Sequence, residues 1–185
     1  MKNPYLTSYF PLLSIILFSL SLAVKAEMEI DRVLKTTGIY EGMLEFFSET
    51  GIKLSFLALL LAVFFMVFAA LKLIADTINE VTLLFFSKDT EGDSLKQIRQ
   101  GAMIYFTGGV ASLFSIYSFV GISAIFAVAT LVYFIYFIYK ISPALSIAGL
   151  AGAVFFQVIV WCTLVLGIFY LAVKVYNSLM ASLPI

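Results

Sequence analysis

The chain is 185 residues long, 63% hydrophobic and 16% aromatic but only 12% charged, with a mean hydropathy of +1.09, whereas ordinary globular domains run about 45–50% apolar and about 25% charged. These proportions exclude a soluble globular domain and indicate an integral membrane protein. Eleven basic and eleven acidic residues cancel, histidine is absent and cysteine occurs once, which excludes nucleic acid held by a net field, His-based acid–base catalysis, most zinc and haem sites and an intramolecular disulfide.

A charged side chain inside hydrocarbon costs at least ~2.5–3.5 kcal/mol, so the charge-free gaps locate the spans. Residues 1–26 open with Lys2, carry a short apolar stretch from Phe10 to Val24 and end Val24-Lys25-Ala26. This is the layout of a secretory signal peptide cut after Ala26; the alternative is an uncleaved first helix. Either way, residue 27 lies outside. Residues 27–53 hold six acids against three bases. Tyr40, Met43, Leu44 and Phe47 fall at helical spacing opposite Glu41, Glu45 and Glu49, which predicts an exported amphipathic helix. Carboxylates in one stripe cannot surround a cation, so the ladder reads as a solvated face, with Glu49 and Lys53 a favourable pair. Gly38 and Gly42 have the GxxxG spacing, but in a polar segment where close helix packing has little force.

Residues 54–75 form the first transmembrane helix. The apolar stripe continues through Ile74, Ile78, Val81 and Phe85, which predicts a helix running on along the membrane surface within a cytoplasmic segment, 76–100. That segment also contains the polar loop Ser87–Asp93 and a capping-box pattern, Ser94-Leu-Lys-Gln97. Gln100 to Tyr139 is a run of forty uncharged residues, about 60 Å as helix and twice what one span needs. It divides into transmembrane helices over 101–118 and 119–139, with the turn among Ser115, Ser118, Gly121 and Ser123. The last gap, Ile141 to Val173, fits one tilted helix over 144–173, or a half-span that breaks before Ala153, followed by an exported tail over 174–185. The fold class is thus all-α integral membrane, with four transmembrane helices after an N-terminal signal segment. Starting outside, Lys72, Lys88, Lys96, Arg99 and Lys140 fall inside, and Arg32, Lys35, Lys53 and Lys174 outside. This positive-inside bias is slight, and the orientation, with the N-terminus of the mature chain outside the bacterial inner (cytoplasmic) membrane, rests chiefly on the signal segment.

By this count the spans hold no ionisable residue beyond Lys72 at an edge, which argues against proton-coupled transport, an intramembrane aspartyl protease and a voltage sensor. A serine nucleophile would lack a base. No catalytic, cofactor or metal site emerges. Gln157 is the polar residue most costly to face lipid, and Trp161 lies one turn later on the same face, so the two mark a packing face or a pore lining. Gly108 and Gly109 on one helix, and Gly149 and Gly152 on another, let backbones approach closely, within the chain or between subunits. Lys72, Arg99, Tyr136, Tyr139 and Lys140 have the composition of interfacial anchors. The partners this pattern suggests are the lipid bilayer, other membrane proteins and copies of the chain itself.

Over residues 1 to about 118, the order is signal peptide, short exported segment, first span, charged loop ending in Lys96 and Arg99, and a second span opening with Gly101 and Gly108-Gly109. This arrangement resembles the small inner-membrane and pilin-like components of conjugation and type IV secretion systems, including those of Dot/Icm type. The apolar residues 119–173 depart from the two-span pilin pattern. The resemblance implies a non-enzymatic subunit of a secretion or conjugation assembly. A small homo-oligomeric channel or membrane-permeabilising effector is the competing expectation, with Gln157, Thr163 and the serines of 112–123 facing a lumen.

Overall fold

The computed structural model describes residues 4–88 and 92–182, which are helical almost throughout. Helix α1 spans Pro4–Thr36, α2 Ile39–Leu44, α3 Glu49–Phe86, α4 Asp93–Ile98, α5 Ala102–Phe114, α6 Phe119–Ile141 and α7 Ile147–Ser182, with 3₁₀ turns at Arg99–Gly101 and Ser142–Ala144. Strand-like pairing among the described residues is confined to one bridge, Ser87 with Leu145. Four helical stretches are long and apolar enough to cross a membrane: Tyr9–Thr36, Glu49–Phe86, Phe119–Ala144 and Ile147–Ser178.

Local chemistry explains the breaks. The hydroxyls of Thr36 and Thr37 donate back to Val33 O at 2.9 Å, and Gly38 takes φ 74°, a left-handed turn that ends α1. Ser48 caps α3, accepting from the Gly51 N–H at 3.1 Å. Gly92, also at φ 74°, leads into α4. From Ile98 to Ala102 the backbone stays right-handed helical, so α4, the 3₁₀ turn and α5 make one bent rod. Ser118 caps α6 by accepting from the Gly121 N–H at 3.0 Å.

Four expectations change. Residues 10–26 belong to an unbroken helix that crosses Ala26, and Phe18, Ser19, Ser21 and Ala23 are among the most buried of the described side chains. The segment 27–53 is broken at Gly38 and before Ser48, so Glu45 and Glu49 share no helix, while Phe46 and Phe47 are exposed. Residues 76–86 continue α3 as a single 38-residue helix, about 57 Å long, rather than turning along the surface. The helix assigned to 101–118 is the 13-residue α5, about 20 Å and short of a 30 Å core without the α4 rod beneath it.

The long helices alternate in direction. The Lys25 ammonium stands over the Phe119 ring, 5.6 Å from its centroid, at one end; Ser87 bridges Leu145, and the Lys88 N–H donates to Ala144 O at 3.1 Å, at the other. Helix α1 is central, packing chiefly on α5 and α3. Phe18, Phe68 and Phe126 tie α1, α3 and α6 together with centroids 5.3–5.7 Å apart. A second cluster of Leu83, Ile98, Phe137, Ile141 and Ala153 joins α3, α4, α6 and α7.

Candidate functional site

A polar lattice locks α3 to α6 and α7. The Gln157 amide on α7 donates to Asn79 Oδ1 at 2.9 Å and to Thr82 Oγ1 at 3.0 Å, both on α3. Its carbonyl accepts from Trp161 Nε1 at 3.1 Å. Asn79 in turn donates to the Tyr133 hydroxyl of α6 at 3.1 Å, and Thr82 returns its proton to Ile78 O at 2.7 Å. Gln157, Asn79 and Thr82 are all buried. Shared partners of this kind fix register, because sliding either helix by one residue would strand several buried groups at once.

The register sets the depth of charged residues. Asn79 stands level with Tyr133, eight residues before α6 ends at Ile141, and with Gln157, ten residues after α7 begins at Ile147. That is roughly 12–15 Å inside the ends of both apolar helices. Asp76 and Lys72 lie one and two turns further in, about 5 and 10 Å deeper. Read along α3 alone they mark the edge of a span; read against its neighbours they stand beside the apolar lengths of α6 and α7.

They do so around an open cavity of about 420 Å³ lined by α1, α3, the α4–α5 rod, α6 and the indole of Trp161. Lys72, Asp76, Glu80 and Arg99 supply its charges. Lys72 and Asp76 form an i,i+4 ion pair, whereas Glu80 and Arg99 make no ion pair among the described residues. Tyr105 and Tyr133, 5.3 Å apart at their centroids, form the middle of the wall, and Phe18, Phe68 and Phe126 close its deep end. The hydroxyls bordering it are engaged: Ser14 donates to Phe10 O at 2.6 Å and Thr130 to Phe126 O at 2.9 Å. The space is charged at one end and apolar at the other, the lining of a site for a small amphipathic molecule.

Of the residues singled out in the sequence, Gln157 and Trp161 bond each other and face α3 of the same chain. Lys72 and Arg99 line the cavity. Tyr136 donates to Gln97 O at 3.0 Å, and the Lys140 ammonium lies 5.8 Å from its ring; Tyr139 is exposed. The glycines seat contacts within the chain. A Cβ on Gly108 would lie 3.1 Å from that of Ala129, and one on Gly109 3.0 Å from that of Leu17. A Cβ on Gly149 would lie 3.0 Å from Phe86 O, and one on Gly152 2.5 Å from the Phe86 ring. Sequence reasoning missed Asn79, Thr82, Glu80, Tyr105 and Tyr133. An available signal was that Lys72, Asp76, Asn79 and Glu80 recur at three- and four-residue spacing and so share one face of α3.

Comparison with known proteins matches the whole chain to one of known sequence. It is 46% identical over 185 residues, all of both chains, to the "Uncharacterized membrane protein YufK" of Bacillus subtilis (strain 168). No solved structure matches it. Residues 27–184 match the family of unknown function DUF5366. The chain is therefore a multi-pass helical membrane protein belonging to the DUF5366 family.

Proposed function

We propose that this protein is a non-enzymatic solute-binding protein of the cytoplasmic membrane, its site being the cavity beside α3. The observation that carries this reading is the placement of Lys72, Asp76, Glu80 and Arg99 around one 420 Å³ space alongside the uncharged lengths of α6 and α7. Charges at such depth are costly and persist where they face a water-filled or ligand-filled space. Lys88, Lys96 and Lys140 gather at the end of the molecule where Ser87 meets Leu145, which supports a cytoplasmic position for that end. The chain has no histidine, and the Ser14 and Thr130 hydroxyls at the cavity donate to backbone carbonyls, which supports the non-enzymatic reading.

Water access is the test. With the exposed Cys162 replaced (Cys162→Ser), Ala75→Cys places a thiol on the cavity wall. A membrane-impermeant thiol reagent applied from the cytoplasmic side is expected to label it. Protection equal to that of a lipid-facing control such as Leu59→Cys would refute the reading.

A second reading, membership of a larger membrane assembly such as a secretion or conjugation machine, draws support from the outer half of α7. Val165, Leu166, Ile168, Phe169, Tyr170 and Leu171 are all exposed, around the full circumference of the helix. Co-purification of other membrane proteins in fixed ratio from native membranes tests it. For the homo-oligomeric channel, Gln157 offers little as a lumen residue, since the residue is 2% exposed and its amide is bonded within the chain.

A further inference from the structure

Glu80 and Arg99 come to the cavity from different elements, α3 and the 3₁₀ turn before α5, and each lines it. Lys72 and Asp76 neutralise each other one turn apart, so the charge left for a ligand is one carboxylate and one guanidinium. A purely cationic solute would leave the guanidinium unanswered and be repelled by it. A purely anionic solute would do the same at the carboxylate, and a neutral one would engage neither of these two exposed charges. Beyond the charges the walls are aromatic, with Tyr105, Tyr133 and Trp161 above Phe126, Phe68 and Phe18. The volume falls within the 300–1,000 Å³ of small-molecule sites and is too small to enclose a whole two-tailed lipid.

Resting on the cavity reading above, we propose that the site binds a zwitterion with an apolar body. Its anionic group sits on the donor fork of Arg99, its ammonium beside Glu80 and the neighbouring aromatic faces, and its apolar part against Phe18, Phe68 and Phe126. Two sources carry this chemistry: a free amino acid with an aromatic side chain, and a phosphoethanolamine headgroup reaching in from the bilayer.

The chain's one tryptophan is Trp161 on the cavity wall, so its emission reports this site alone. The full-length protein in maltoside detergent is titrated with L-phenylalanine, with phenethylamine (ammonium only) and with 3-phenylpropionate (carboxylate only). A saturable change with L-phenylalanine is expected, the two analogues requiring about tenfold or more higher concentration. Glu80→Gln and Arg99→Gln should each weaken binding by about tenfold, with helical melting unchanged because neither side chain makes an ion pair or hydrogen bond among the described residues. In nanodiscs, phosphatidylethanolamine producing the same change and blocking phenylalanine, where phosphatidylglycerol does not, would assign the zwitterion to the lipid. An analogue carrying one charge that binds as well as phenylalanine would overturn the proposal. So would silence of Trp161 toward both zwitterions while Ala75→Cys is labelled, with the water-accessible cavity then standing; an unlabelled Ala75→Cys would overturn both.

Discussion

Gln157 uses its whole amide inside the chain, donating to Asn79 and Thr82 and accepting from Trp161. Gln157→Leu strands the Trp161 N–H and the Asn79 carbonyl, and is expected to cost about 1–2 kcal/mol because hydrogen bonds between membrane helices are individually modest. A lower thermal midpoint in detergent checks this, and an unchanged midpoint would show the lattice to be idle. Gly152 is a steric case. A Cβ there meets the Phe86 ring at 2.5 Å, so Gly152→Ala should destabilise by about 1–3 kcal/mol. Because the obstacle is a side chain, Phe86→Ala in that background should recover part of the loss, a coupling that a double-mutant cycle reads directly. Gly109 should behave similarly against Leu17, which its absent side chain admits to α5.

Helix α1 packs as a core element. Besides Phe18 in the aromatic triad, the Ser21 hydroxyl lies 2.8 Å from that of Ser112 on α5, and both are fully buried. Removing residues 1–26 would expose the small-residue face of α5 that Leu17 and Phe18 now cover. The expected outcome is that the protein isolated from membranes retains these residues, as an intact-mass measurement would show, and that a chain beginning at Glu27 fails to accumulate. A mature mass starting at Glu27 would reverse this. The apolar run with a basic start is common to signal peptides and first transmembrane helices, and α1 runs unbroken from Pro4 to Thr36 across the cut site the sequence suggests. Helix α5 shows the opposite error, where a long uncharged run suggested two full spans but the turn at Ser115–Ser118 leaves only 13 residues before it.

At the scale of the whole molecule, α1, α3, the α4–α5 rod, α6 and α7 run alternately up and down, so that Pro4 and Ser182 lie toward opposite ends of the bundle. With Cys162→Ser as background, Ser146→Cys should react with impermeant reagent from the cytoplasmic side, and Thr37→Cys from the outside only. Labelling of both from one side would break the topology. Composition by itself determined the all-helical membrane class, because a chain this apolar can satisfy its backbone in a bilayer only through helices or a closed barrel, and its uncharged runs have helical rather than strand lengths. Counting charges along the chain treats every helix as if it were alone in the membrane, and so it put Lys72 at an edge and found no ionisable group within. Only the tertiary structure decided otherwise. The bonds from Asn79 to Tyr133 and Gln157 set the sliding position of α3 against α6 and α7, and that position carries Lys72, Asp76 and Glu80 beside their apolar lengths. Register between helices depends on which side chains meet across an interface, and no periodicity within a single helix contains that information.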